Sequence, residues 1–194
     1  MLHICTPLYR YKNVPIVFDS LKNYDDVTWH LSFAKHRKSP DISDLDSVNK
    51  IKLYSVDCED KNTCQKRNAI FENIMDGYFC LLDDDTLFLE SMYDTYKKYS
   101  AINYEGMIIG RQYNKNQTIR LNASKPVYGR IDTGNVLCHH ACLSACRWPE
   151  RHYKGTNKDF LFWDSVYKFY NNVCDIIETP ISVYNKIADE RRFR

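Results

Sequence analysis

Long apolar runs are missing from this 194-residue chain. No stretch approaches the roughly 18 apolar residues that a membrane-spanning helix requires, so no membrane span is expected. The N-terminal MLHICTPLYRYKN carries no charged stretch ahead of an apolar one and does not read as a signal peptide. Strong charge of either sign is also lacking. Formal net charge is +2, from 27 basic and 25 acidic side chains, which argues against a bulk nucleic-acid binder. None of the eight cysteines forms a CxxC pair, so the usual knuckles of structural zinc are absent. Without a signal peptide these thiols are expected to stay reduced, and a cytoplasmic location follows. Glycine is scarce at six residues: no Gly/Ser linker divides the chain, and TPLYRYKN, after the first expected strand, has none. That excludes the Gly-rich phosphate loop on which nucleotidyltransferases rely.

What is present fits one globular α/β domain: 44% apolar and 27% charged residues, with 15 tyrosines and nine phenylalanines whose default place is the core. Leu2–Thr6 reads as a strand ended by Pro7. Asn13 and Pro15 open a helix through Leu21, and Val27–Ala34 alternates Trp29, Leu31 and Phe33 with polar residues as a second strand. A polar loop spans His36–Asn49 and a third strand Lys50–Val56. A helix from near Thr63 turns Ala69, Ile70, Ile74 and Met75 inward and breaks at Gly77. Tyr78–Leu82 is the most apolar strand. A helix over Thr86–Tyr99 and a strand at Gly106–Arg111 follow, then pieces at Thr118–Leu121 and Gly134–Cys138, a helix at Phe160–Tyr170 and a strand at Ile176–Tyr184. Cys138, Cys142 and Cys146 read as the buried face of a short helix. Alternating strands and helices predict a mostly parallel central sheet flanked by helices, within a single domain whose regular half spans residues 1–111 and whose less regular half spans 112–194.

The chemistry concentrates where the apolar strand runs into Asp83-Asp84-Asp85. Three adjacent carboxylates repel one another and are costly to desolvate, so something positive must offset them. A hard divalent cation with oxygen ligands does this, typically sharing one or two carboxylates with substrate phosphates. In doubly wound sheets, ligands bind beyond the carboxyl ends of the strands, where this triplet falls.

TPLYR on the first strand, CQKRNAIF on a helix and YFCLLDDDTLF together resemble GT-A fold (Rossmann-like) glycosyltransferases, and the QxRN helix preceding a DDD strand end is the most specific part. The resemblance implies transfer of a sugar from a nucleotide diphosphate donor, UDP-sugar foremost, to a glycan or glycoprotein hydroxyl, with Mn²⁺ or Mg²⁺. It assigns Asp85, with Asp83, to the metal. Asp83 and Asp84 would lie near the ribose and sugar, and Arg67 would face the diphosphate. Thr6 and Pro7 would lie beneath the nucleoside. Asp132-Thr133-Gly134-Asn135 resembles a segment lining the donor sugar, where Gly134 would admit close approach. KDFLFW resembles a helix start whose carboxylate, Asp159, meets the acceptor hydroxyl, with Asp132 as the other catalytic candidate. On residues alone Asp159 equally suits a helix N-cap, and Arg67 an exposed arginine paired with Glu72 or Asp76. Trp163 is expected in the core. The chain also resembles the N-terminal domain of chlorella-virus glycosyltransferases acting on capsid glycans, which implies a host cytoplasmic location. On that view the RRFR end is a boundary within a longer polypeptide.

Two departures stand out. No aspartate ends the second strand, where AKHRK leaves Lys35 or Arg37 to read the base. No late histidine matches a third metal ligand, since His139, His140 and His152 all precede the last strand. A sugar nucleotidyltransferase and a non-catalytic carbohydrate-binding module are the alternatives.

Overall fold

The computed structural model describes residues 1–43, 45, 50–150, 157–184 and 187. Its centre is one nine-stranded sheet. The strands are β1 (Leu2–Pro7), β2 (Val27–Ala34), β3 (Ile51–Val56), β4 (Tyr78–Leu81), β5 (Leu87–Phe88), β6 (Met107–Tyr113), β7 (Ile119–Leu121), β8 (Val136–His139) and β9 (Asp175–Val183). Their order is β3-β2-β1-β4-β8-β6-β9-β5, with β7 beside β6. Strands β3, β2, β1, β4, β6 and β9 share one direction, and β5, β7 and β8 oppose it. The expected mostly parallel α/β architecture is therefore the observed one. Four helices cover it: α1 (Val14–Asp19), α2 (Thr63–Phe71), α3 (Glu90–Ala101) and α4 (Lys158–Phe169).

Period-two alternation builds a separate core on each face. Leu2 and Ile4, Tyr78 and Cys80, Ile108 and Leu137 point to one face, beneath Val17 and Phe18 of α1 and Met92 and Tyr96 of α3. Cys5, Phe79, Leu81, Met107, Ile109 and Cys138 point to the other, beneath Ile70 of α2 and Phe162, Trp163 and Val166 of α4. Trp163 is fully buried, in the core as expected.

Local boundaries differ from expectation where tertiary partners intervene. Helix α1 stops at Asp19, and Asn13 does not cap it, because its amide donates to the Asp84 carbonyl at 2.8 Å. Helix α2 ends at Phe71, six residues before Gly77, so Met75 projects outward at 77% exposure. Gly77 turns the chain at φ 64°, where a Cβ would strike the Met1 backbone. The expected helix from Thr86 begins only at Glu90, because Leu87–Phe88 pairs with β9 instead. The three-cysteine segment is not a helix: Cys138 lies on β8, Cys142 in a 3-10 turn and Cys146 beyond it. All eight cysteines are free thiols. Among the described residues no helix is long and apolar enough to cross a membrane.

A polar chain, buried at its two histidines and exposed at Asp76, runs across β1, β2 and β3 away from the acidic triplet. Asp76 lies 2.9 Å from His3 Nε2, His3 Nδ1 2.9 Å from His30 Nε2, and His30 Nδ1 2.8 Å from the Tyr54 hydroxyl. Burial, with the neighbouring His3 and Lys52, pushes His30 down from 6.5 to about 3. The unfolded chain therefore binds this proton between those values while the folded chain does not. The stability contribution is complete above about pH 6.5 and is lost as pH falls toward 3. Between pH 7.5 and 5 that amounts to roughly 2 kcal/mol, or about 4–8 °C in Tm. Melting curves at both values should show this drop in the native chain and a smaller one in His30→Gln.

Candidate active site

The chain leaves β1 for β2 and β3 on one side, then returns through α2 to β4 on the other. The crevice outside the carboxyl ends of β1 and β4 is therefore the switch point of the sheet. β1 delivers Leu8–Asn13 to it, and β4 delivers Asp83-Asp84-Asp85.

Asp84 ties these two loops together. Its Oδ2 accepts from the Tyr9 and Arg10 amides at 2.6 and 2.5 Å, and Oδ1 pairs with the Arg10 guanidinium. Arg10 also lies 3.0 Å from Asp85 Oδ2. The buried carboxylate is thus satisfied by backbone and by one cation, and it holds Arg10 at the crevice.

Asp83 faces the opposite way. Its Oδ1 accepts from Arg67 Nη2 at 2.8 Å and its Oδ2 from the Thr133 hydroxyl at 3.3 Å. Arg67 lies on α2, almost wholly buried, with its guanidinium 4.2 Å over the Trp148 ring and Nη1 3.9 Å from Asp159. The sequence alternative of an exposed arginine paired with Glu72 or Asp76 gives way to this arrangement. Asp159 in turn hydrogen-bonds to Asp132, whose other partner is the Arg120 guanidinium. Asp132 also accepts from the Thr133 amide at 2.7 Å and so caps the 3-10 turn Thr133–Asn135.

Asp159 does not cap α4. Asn157 does, accepting from the Asp159 amide at 2.9 Å, which leaves the Asp159 carboxyl to face Arg67 and Asp132. This displaces the capping reading of Asp159.

Five carboxylates, Asp83, Asp84, Asp85, Asp132 and Asp159, here meet three guanidiniums, Arg10, Arg67 and Arg120, an excess of two negative charges when all are ionised. The excess shows in proton affinity. Burial raises Asp85 to about 6, with Asp83 and Asp84 adding to it against Arg10. Burial likewise raises Asp159 to about 7 against the pull of Arg67, with Asp132 and Asp83 adding to the rise. Asp83 is raised by burial too. Burial alone would raise Asp132, but the Arg120 guanidinium, the Thr133 amide and Asp159 together hold it below the usual range. An anionic ligand would meet net negative charge here unless a cation accompanied it. Among the described residues no three His, Cys, Asp or Glu side chains are grouped to hold a metal by themselves. The hard oxygens of Asp83 and Asp85 fit a divalent ion that takes its remaining ligands from phosphate and water.

The other expected residues fall around this cluster. The Thr6 hydroxyl accepts from Trp29 Nε1 at 2.9 Å, and Pro7 closes β1 beside it. Arg37, in the turn after β2, pairs with Asp60 at 3.0 Å and stacks over Tyr11, while Lys35 is exposed. A Cβ on Gly134 would meet Gln112 Nε2 and Ser182 Oγ, so the close approach there is to protein. His139 and His140 sit beside Tyr78 and Gly77, at the far end of β4 from the triplet, and His152 lies outside the described residues. Arg10, Arg120, Trp148 and Asp60 carry contacts that sequence reasoning did not assign. Of these, only Arg10 had a signal, lying inside the TPLYR segment.

No protein-family model matches the chain, and no curated protein matches it in sequence. Solved structures share its fold. Staphylococcus aureus TarS 1–349 superimposes with a TM-score of 0.71 at 13% identity, over 94% of this chain and 59% of that one. The same protein in complex with UDP-GlcNAc gives 0.70 at 13% identity, over 94% and 57%, and a complex with UDP is similar too. A putative glucose-1-phosphate thymidylyltransferase from Bacillus anthracis, in complex with a sucrose, gives 0.56 at 13% identity, over 93% and 86%. The chain thus spans about three-fifths of TarS 1–349, and 36% of the longer TarS structure.

Proposed function

We propose that this protein is a metal-dependent glycosyltransferase that moves a sugar from a UDP-sugar to a hydroxyl of an acceptor glycan. The observation that carries this reading is the charge cluster at the switch point: the acidic triplet with Arg10 and Arg67 beside the Asp132–Asp159 pair. The shared fold with TarS, whose structures hold UDP and UDP-GlcNAc, supports the donor class. Asp85 and Asp83 would hold Mn²⁺ or Mg²⁺, which supplies positive charge against the donor diphosphate. Arg10 and Arg67 meet the charge that develops as the sugar–phosphate bond breaks. Thr6 and Pro7 lie beneath the nucleoside, Arg37 beside its base, and Asp84 fixes the loop that carries Arg10.

Asp159 is the acceptor-side base. When ionised it takes the proton of the attacking hydroxyl as the new C–O bond forms, and the nucleoside diphosphate leaves with the electrons of the broken bond. Asp132, kept anionic by Arg120, hydrogen-bonds to the protonated Asp159. The acceptor is of the capsid-glycan kind implied by the sequence resemblance. Eight free thiols favour a reducing cytoplasm, that of the host for a viral enzyme.

The nucleotidyltransferase reading shares the fold. Against it, the loop after β1 has no glycine and is occupied by its contacts with Asp84. Incubation with UDP-GlcNAc and Mn²⁺ separates the readings: a glycosyltransferase releases UDP, whereas UTP formation on adding pyrophosphate identifies a nucleotidyltransferase. Neither product would leave a binding module. Arg67→Ala is expected to weaken UDP binding by about 1.5–3 kcal/mol, the scale of a charged hydrogen bond. Calorimetry reads this directly, and unchanged affinity would remove Arg67 from the diphosphate site.

A further inference from the structure

β9 ends against Arg120. It pairs with β6 in the register Gln112↔Ser182 and Tyr113↔Val183, while Leu121 and Ile119 of β7 pair with the same two residues from the other side. Tyr184, the residue after β9, meets Arg120 of β7 across β6. The guanidinium carbon lies over the Tyr184 ring, 3.6 Å from its centroid. The backbone that carries this ring is fixed at both ends. The Tyr184 amide donates to the Tyr113 carbonyl at 2.9 Å, and three residues on the Ile187 amide donates to the Asp85 carbonyl at 3.1 Å.

Arg120 has work to do in that pose. Its Nη1 donates to Asp132 Oδ2 and to Gln112 Oε1. Gln112 is itself buried, and its Nε2 donates to Ser182 Oγ at 3.1 Å, whose hydroxyl donates to the Gly134 carbonyl. β9 thus supports the guanidinium twice, through Ser182 and Gln112 at its edge and through the Tyr184 ring on its face. The support is needed because the Arg120 side chain stands on a three-residue strand with 27% exposure. A guanidinium that wet readily trades a carboxylate for water. A ring in contact with one face excludes water there and attracts the cation only in the stacked pose. Asp132 in turn is the hydrogen-bond partner of Asp159. The contacts therefore run from Tyr184 to Arg120, to Asp132 and to Asp159.

We infer that Tyr184 is a positioning residue of this site: its ring clamps Arg120 onto Asp132 and, through Asp132, fixes the Asp159 carboxyl. The kinetic consequence rests on the glycosyltransferase reading, whereas the clamp itself is measurable without turnover. Tyr184 is partly exposed, so Tyr184→Leu, which keeps apolar bulk, and Tyr184→Phe, which keeps the ring, should both fold. Melting curves are compared for the native chain, Tyr184→Leu, Asp132→Asn and the double variant. A ring that only fills space lowers Tm by the same amount in either background. A clamp acting through Arg120 has little left to hold once Asp132 is gone, so Tyr184→Leu should lower Tm roughly half as much, or less, beside Asp132→Asn. Turnover is read as UDP release from UDP-GlcNAc with Mn²⁺ and methyl β-glucoside. Tyr184→Leu should lower kcat by roughly tenfold, within the cost of a misplaced group near the chemistry, with UDP affinity by calorimetry unchanged. Tyr184→Phe should keep a near-native kcat. Non-additive melting in a chain whose native form shows no turnover would uphold the clamp and sink the glycosyltransferase reading. Additive melting, a native kcat in Tyr184→Leu, a parallel loss of UDP affinity, or Tyr184→Phe as slow as Tyr184→Leu would overturn the inference.

Discussion

Asp159→Asn is expected to lower sugar transfer by about 10²–10⁴-fold, the usual contribution of a general base, while donor binding persists. The substitution is nearly isosteric, and it spares the helix start because Asn157 makes the cap. The carboxylate's loss, rather than a misplaced α4, then accounts for the lost rate. Native transfer should rise with pH through about 7 as Asp159 ionises, and the residual rate of the variant should lack that rise. Stability provides a second readout. A carboxyl raised to about 7 binds more protons folded than unfolded, so it costs stability as pH climbs from the unfolded value near 3.8. Asp159→Asn should therefore melt higher than the native chain at pH 8, by about 2–8 °C, and close to it at pH 4. Near-normal transfer, with a melting curve unchanged at both values, would leave Asp159 without a catalytic role.

The second large effect is at Asp85. Asp85→Ala should abolish the metal dependence of donor binding and leave the fold intact. The side chain is buried and raised to about 6, so its removal relieves repulsion from Asp83 and Asp84. Arg10 keeps its other partner, Asp84, so no cation is stranded. A variant that binds UDP with undiminished Mn²⁺ dependence and a native melting curve would move the metal away from Asp85.

Local pattern carried much of this fold. The apolar β4 entering three aspartates, and the alternation in β2, could be read directly because side-chain period reports burial. Errors arose where a distant partner decides. Leu87–Phe88 looks helical alone and becomes strand because β9, some ninety residues on, pairs with it. The apolar pattern runs on past Phe71 to Gly77, because nothing local marks Phe71 as the end of α2. At the site, Asp83, Asp85, Arg67, Asp132 and Asp159 were all named from sequence, and the structure brings them together. Their partners were harder to find. Arg120 reaches Asp132 by the antiparallel pairing of β6 and β7, and Trp148 reaches Arg67 across eighty residues. The Asp159 cap is a matter of register: Asn157, two residues earlier, takes the role that helix-start statistics grant either residue.

The central claim is that the acidic triplet, together with a divalent cation, holds a nucleotide-sugar donor. Isothermal titration of UDP-GlcNAc into the native chain, with Mn²⁺ and again with EDTA, tests it most directly. The account predicts saturable one-to-one binding with Mn²⁺ and affinity at least tenfold weaker without it. Equal affinity in EDTA, or no binding in either condition, would contradict it.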